Sequence, residues 1–323
     1  IQMVNEFEDV LNSYLKIKNA DLYVTGSNAR FLSKDIITTF RGRGDVVHIY
    51  PLSFREYHSA FDRPKEETLP EYLLYGGLPE TIQMTSVEEK TAFLRNVYEE
   101  TYIRDIRERY NIKQEEELEI LFDIVSSTVG SLTNPQKIAN TFDSLRQSDL
   151  SAVTIKKYLD IICESFLMEK VSRYDVRGRK YIETPYKYYF VDPGLRNARM
   201  NFRQPDFSHI MENVIYNELR IRGYNVDVGV VPLVIREDGR QVRRQYEIDF
   251  VCNLGSQRYY IQSVYRIESE AKCAQEETSL RNISDSFKKI VIVGEHTPVL
   301  RNEAGISTIS IYDFLLNPGS LEL

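Results

Sequence analysis

The chain contains no tryptophan, and its three cysteines, Cys163, Cys252 and Cys273, are scattered without a CxxC pair. Dispersed thiols in odd number give no disulfide framework, and the four histidines are too spread to complete an evident zinc site. No apolar run approaches the ~20 residues needed to cross a bilayer, so no membrane partner is expected. Ile1-Gln2-Met3-Val4-Asn5-Glu6 lacks the basic start and apolar core of a secretory signal, and cytoplasm is the expected location. A basic excess is missing too. The formal charge of −7 and a pI near 5.4 argue against a general nucleic-acid coat. There are no internal repeats and no low-complexity tracts. No G-x-x-x-x-G-K-[ST] stretch occurs, so that form of phosphate cradle, with its Mg²⁺-ordering hydroxyl, is absent from the sequence.

What is present is an ordinary globular composition, 42% hydrophobic and 28% charged over 323 residues, enough for two or three domains. The 22 tyrosines, often paired as in Tyr188-Tyr189 and Tyr259-Tyr260, suit half-buried strands with the ring inside and the hydroxyl outside. The segment from Lys170 to Arg203 holds nine Lys/Arg against three Asp/Glu, a local excess of six.

Periodicity predicts a multidomain α/β chain in four parts. Residues 1–60 read as a helix from Val4 to Ile17, strands at 21–25 and 46–50, and a helical stretch between them, which suggests part of a parallel α/β sheet. Residues 61–112 read as helical, broken at Tyr75-Gly76-Gly77-Leu78-Pro79, with a long amphipathic run from Val87 to Tyr110. Residues 113–203 read as three helices and a β hairpin, a winged helix-turn-helix. Its third helix is capped by Ser151 and carries Ile155, Tyr158, Leu159, Ile162 and Phe166 on one face. In residues 204–323 a helix from His209 to Arg222 precedes strands at 226–231, 246–252 and 258–265, then a polar helix and an apolar strand.

The last part carries the most specific chemistry. Glu212 on the helix, with Glu247 and Asp249 two apart on one strand, matches in type and order the metal-holding carboxylates of a PD-(D/E)xK nuclease-like fold. On the next strand such a fold needs a Glu-x-Lys. Here Gln262-Ser263-Val264 stands in its place, with Gln262 a weak ligand and Val264 in the lysine slot. The expectation is a degenerate cluster without its cation, which does not cut. The bland reading is a pair of exposed strand carboxylates, weakened by alternation, which sets both opposite Ile248 and Phe250. In the winged-helix part, Lys156 and Lys157 on the third helix and Arg177, Arg179 and Lys180 on the wing are the candidate DNA contacts. Many winged helices are protein spacers, and a recognition helix with two lysines leaves that alternative open. In the first part, Thr25-Gly26-Ser27-Asn28 fits either a turn or a strand end reaching a nucleotide phosphate. Arg41 and Arg43 fit either a solvated Gly turn or arginines acting on a neighbour's phosphate.

Five stretches together resemble the prokaryotic AAA-superfamily ATPases that end in a C-terminal domain of unknown function. They are Asp21 to Asn28, Tyr50-Pro51-Leu52-Ser53-Phe54-Arg55-Glu56-Tyr57, Tyr72 to Glu80, Tyr102-Ile103-Arg104-Asp105-Ile106, and Glu247-Ile248-Asp249-Phe250. The resemblance makes Ile1-Gln2 the tail of a Walker B segment, residues 1–60 a remnant of the ATPase core with part of its P-loop sheet, and 61–112 a lid or linker. It implies nucleotide sensing by Ser27, Asn28, Arg41 and Arg43, with ATP and Mg²⁺ as cofactors of the intact protein and none expected for this chain alone. The expected partners are DNA, a protein, or further copies of the chain. A metal-dependent DNA endonuclease is the alternative.

Overall fold

A computed structural model describes residues 7–25, 45–146, 150–203, 206–237, 240–267 and 270–323. The first half is helical: α1 (Phe7–Tyr14), α2 (Phe54–Ser59), α3 (Lys65–Tyr75), α4 (Val87–Asn96) and α5 (Arg104–Tyr110). A π-helical stretch, Val97–Ile103, joins α4 to α5 and buries Tyr98 and Ile103. Next come α6 (Glu115–Ser127), α7 (Pro135–Arg146) and α8 (Ala152–Glu164). Local signals set these boundaries. Ser53 accepts from the Glu56 amide at 3.3 Å while the Glu56 carboxylate accepts from the Ser53 amide at 2.9 Å, a reciprocal cap. Ser151 caps α8 through the Thr154 amide, and Ile155, Tyr158, Leu159 and Ile162 are buried along its inner face. Phe166, expected on that face, lies past the helix end with φ +59°.

The strands expected at 21–25 and 46–50 are not formed. Tyr23 is 90% and Ile49 88% exposed. A strand is stable only when a neighbour takes up its amides and carbonyls, and among the described residues these segments have no such neighbour.

The remaining strands form one eight-stranded mixed sheet in the order β2-β1-β3-β4-β5-β6-β8-β7. They are β1 (Met168–Asp175), β2 (Lys180–Phe190), β3 (Asn225–Glu237), β4 (Arg240–Leu254), β5 (Gln257–Val264), β6 (Lys288–Val293), β7 (Leu300–Arg301) and β8 (Ile306–Ser310). α9 (Pro193–Arg199) and α10 (Phe207–Ile221) precede β3, α11 (Glu270–Arg281) crosses from β5 to β6, and α12 (Ile311–Leu316) follows β8. The β1–β2 hairpin, expected as the wing of the 113–203 module, joins this sheet: β1 pairs in parallel with β3 from Arg173↔Val228 to Asp175↔Val230. An exposed strand edge is a row of unsatisfied backbone groups, and β3 satisfies them. On the other edge, Thr133 exchanges backbone hydrogen bonds with Tyr186, and the Gly130 amide donates to the Tyr188 carbonyl, so the loop after α6 covers β2.

A second junction holds the Gly-Gly break. Gly76 has φ +76°, and a Cβ there would lie 2.0 Å from Asp192 Oδ1. Asp192, fully buried, accepts from the Gly77 amide at 2.7 Å and from the Leu195 amide at the start of α9 at 3.1 Å. The Leu52 amide donates to the Gly77 carbonyl, and Tyr72 Oη donates to the Leu52 carbonyl. The Tyr50–Tyr57 and Tyr72–Glu80 stretches therefore meet through Leu52 at the Gly77 backbone, which the buried Asp192 carboxylate holds.

Candidate functional site

α10 lies against the sheet with Ile210, Met211, Val214, Ile215 and Leu219 buried, and Asp206 caps it through the Ser208 amide. This packing carries Glu212 over β4. On β4 a bulge intervenes. Asp227 pairs with Val251 but Gly229 pairs with Ile248, so Asp249 and Phe250 face the single residue Val228. Gly229 permits it, because a Cβ there would lie 2.8 Å from Val251 and 2.9 Å from Ile248. The bulge turns Phe250 to the side of the acids, where its ring packs against Tyr189 and Tyr216. Phe250 is thus not opposite Glu247 and Asp249, as simple alternation predicts.

Beyond the last β4–β5 pair, Phe250↔Ile261, the two strands part. The Asp249 carboxylate fills the gap by accepting the Ser263 amide at 2.8 Å, and Gln262 Oε1 lies 3.4 Å from the Asp249 amide. Gln262 therefore serves the backbone of β4. Val264 is buried in an apolar cluster with Val251, Leu280 and Val293, and it presents nothing to the acids.

The cation missing from that slot is supplied from elsewhere. Lys187 on β2 places its Nζ 2.7 Å from Glu247 Oε1, 2.9 Å from Glu212 Oε1 and 3.7 Å from Asp249 Oδ1. Its side chain is 3% exposed, against 12% for Glu212, 10% for Asp249 and 34% for Glu247. The expectation of a cluster without a cation is corrected here: the ammonium comes from the preceding hairpin. Burial opposes the charge on Lys187, but attraction to Glu212, Asp249 and Glu247 outweighs it and raises the lysine's pKa. Burial, reinforced by the Glu212 charge, pushes the Asp249 carboxyl up to about 8, opposed by Lys187 and the Ser263 amide. Tyr189 donates to Glu212 Oε1 at 2.6 Å, and burial raises its own pKa well above the phenol range. The sequence signal was available. Lys187 is the one charged residue in Tyr186-Lys187-Tyr188-Tyr189-Phe190-Val191, and a charge inside a buried strand requires a partner.

The ammonium stands where the three carboxylates converge. Among the described residues no group of three His, Cys, Asp or Glu side chains could hold a metal ion. In this arrangement the centre is taken by a covalently tethered cation, so a metal could be held there only with the ammonium displaced.

The paired tyrosines are buried more deeply than expected: Tyr188, Tyr189, Tyr259 and Tyr260 are all 4% exposed or less. Carboxylates take the place of water as partners: Tyr189 donates to Glu212, Tyr259 to Glu322 and Tyr260 to Asp285. Of the candidate DNA contacts, Lys156 and Lys157 are exposed on α8. Arg177 and Arg179 line a separate open cavity at the β1–β2 turn, and Lys180 opens β2, exposed. Ser27, Asn28, Arg41 and Arg43 lie outside the described residues.

Comparison with known proteins gives relatives without an assigned role. Residues 1–58 match the family model described as AAA domain, and residues 66–206 match Domain of unknown function (DUF8612). An uncharacterised protein of Haemophilus influenzae is 33% identical over 321 residues, covering 98% of this chain and 76% of the relative. An uncharacterised protein of Methanocaldococcus jannaschii is 24% identical, covering 97% and 70%. A crystal structure of a Vibrio cholerae protein aligns with 13% identity and a TM-score of 0.25, covering 86% of this chain and 62% of that one, a likeness too low to argue from. Among the described residues no helix is long and apolar enough to cross a membrane.

Proposed function

This chain belongs to the family of the Haemophilus influenzae protein, and from that premise we propose that it is part of an AAA-type ATPase whose C-terminal half recognises a partner, DNA or protein, without cutting it. In this reading the intact protein binds and hydrolyses ATP with Mg²⁺, and Ser27, Asn28, Arg41 and Arg43 sense the nucleotide. The chain itself, with no G-x-x-x-x-G-K-[ST] loop, does not turn ATP over. Measurable turnover by the purified chain would contradict that.

The observation that carries the non-cutting reading is the Lys187 ammonium, 3% exposed and held by Glu212 and Glu247. It neutralises acids that a nuclease-like fold would keep for a metal, and it leaves little access for a phosphodiester. The test is plasmid nicking by the chain in Mg²⁺ or Mn²⁺ beside Glu247→Ala and Asp249→Ala. The expected result is no nicking by any of them.

The same lysine favours a second reading, a metal-dependent endonuclease, since it restores the cationic member that the β5 strand lacks. Nicking that disappears in both carboxylate variants and in Lys187→Met would establish that reading and remove the first.

A further inference from the structure

The turns at one end of the sheet enclose an open groove of about 750 Å³, lined by Tyr174, Arg177, Arg179, Ser256, Arg258 and Phe287 among others. It lies apart from the carboxylate cluster, and its lining contains none of Lys187, Glu212, Glu247 or Asp249.

Three arginines meet there, two from the β1–β2 turn and one from the start of β5. Arg177 and Arg179 are exposed on the β1–β2 turn. Arg177 donates to the Asn282 carbonyl at 2.9 Å, which fixes the turn against the loop after α11. Arg179 stands at φ +51° on the same turn. Arg258, on β5, donates to Asn253 and lies with its guanidinium 5.6 Å from the Tyr174 ring centre and 5.3 Å from that of Phe287. Two acids are near, and both are engaged within the fold. Asp175 accepts the Arg177 and Gly178 amides, while Asp285 accepts Tyr260 Oη at 2.7 Å and the Phe287 amide. Among the described residues Arg177 and Arg179 form no ion pair, so their charge is offered to solvent. Beside them Phe287 leaves 40% of its surface exposed, an aromatic face next to cationic forks.

We infer that this groove binds a single nucleic-acid strand, with phosphates on Arg177 and Arg179 and a base against Phe287. Guanidinium forks match phosphate oxygens, and a ring accepts any base by stacking, so the pairing selects a backbone with splayed bases over a stacked duplex. The inference rests on the DNA-recognition half of the proposed function, narrows its five candidate contacts to Arg177 and Arg179, adds Phe287 and makes the ligand a single strand.

The test is fluorescence anisotropy of the full chain with labelled oligothymidine and with a labelled duplex, over a salt series from about 50 to 200 mM. The single strand is expected to bind more tightly than the duplex. Arg177→Ala/Arg179→Ala is expected to weaken binding at least about tenfold and to flatten the log–log salt slope by about 1.4, two phosphates at ~0.7 each. Arg179→Glu alone should weaken it in the same sense, and Phe287→Ala should weaken it with little change of slope. Each altered side chain is at least partly exposed, and circular dichroism checks that the variants fold. Binding unchanged in Arg177→Ala/Arg179→Ala but lost in Lys156→Ala/Lys157→Ala overturns the groove and leaves DNA recognition standing. A preference for duplex overturns the single-strand assignment. No binding to either probe by the unaltered chain overturns both the groove and the DNA half of the function.

Discussion

Replacing Lys187 by methionine tests the central arrangement most directly, because it removes the charge and keeps much of the side-chain volume. At an effective dielectric near 20, an ammonium 2.7–2.9 Å from a carboxylate oxygen gains roughly 6 kcal/mol of gross attraction per pair. Taking the ammonium out of water costs several kcal/mol, and crowding Glu212, Glu247 and Asp249 together costs more, so the net worth is well below the gross sum. What decides the outcome is what stays behind. Lys187→Met leaves the acids buried without a counter-charge, and losing one partner of a buried pair costs about 3–5 kcal/mol.

That loss carries a pH signature. Acids stripped of their cation have folded-state pKa values raised above their unfolded ones. The penalty is therefore absent below the unfolded value near 4 and grows as pH rises toward the folded value. Urea unfolding followed by circular dichroism at about pH 5 and about pH 8 should show the larger loss at pH 8, by at least about 1 kcal/mol. Adding Glu212→Gln to Lys187→Met should recover part of the loss, and the cycle should show a coupling of about 1–3 kcal/mol. A Lys187→Met protein within 1 kcal/mol of the parent at both pH values, on the order of a surface change, would refute the reasoning.

Three further outcomes follow from other junctions. Gly76→Ala places a methyl 2.0 Å from Asp192 Oδ1 at a left-handed backbone position, so a loss of at least about 2 kcal/mol is expected in thermal or urea melts. Asp192→Ala removes the acceptor for the Gly77 and Leu195 amides and should cost about 1–3 kcal/mol, with amide exchange at Gly77 accelerated. Burial pushes Asp192 up to about 6 and Asp249 up to about 8, and a raised acid loses stability as pH rises from its unfolded to its folded value. The unaltered chain should therefore lose stability from about pH 4 to 8, by at most about 1.4 kcal/mol per unit for each group. Asp192→Asn should flatten the lower part of that fall.

The elements legible in the sequence were those fixed by near neighbours. The Ser151 cap and the Ile155–Ile162 face of α8 are decided within four residues, and the structure forms them as read. The alternation of β4 was legible up to the bulge at Asp249 and Phe250, which depends on Gly229 of another strand. The segments at 21–25 and 46–50 have strand-like residues and no strand partner among the described residues, and pairing is a property of two segments. The union of the hairpin with β3 escaped notice for the same reason. Glu212, Glu247 and Asp249 were legible by type and order, while Gln262, read as a weak ligand in place of a glutamate, serves the β4 backbone. Lys187 was not evident as the cation because its partners lie 25 residues away and beyond, whereas the sequence pattern of such a site puts the lysine on the strand next to the acids.

Burial also bears on which reading of the cluster is the stronger. To cut DNA, the acids must admit a phosphodiester, and three of the four charged side chains are 12% exposed or less, leaving Glu247 as the approach. Reaching Asp249 from there means displacing the Lys187 ammonium from Glu212 and Glu247. If that rupture costs about 4 kcal/mol, as the methionine substitution is expected to report, the open form makes up about one molecule in a thousand, since each 1.4 kcal/mol is tenfold. The interaction that makes Lys187 stabilising thus holds the acids shut. Under the cutting reading the unaltered chain should nick and Lys187→Met should lose both stability and nicking, whereas under the non-cutting reading Lys187→Met should lose stability while neither chain nicks. An unaltered chain and a less stable Lys187→Met chain that both leave plasmid intact in Mn²⁺ are the result the buried ammonium calls for.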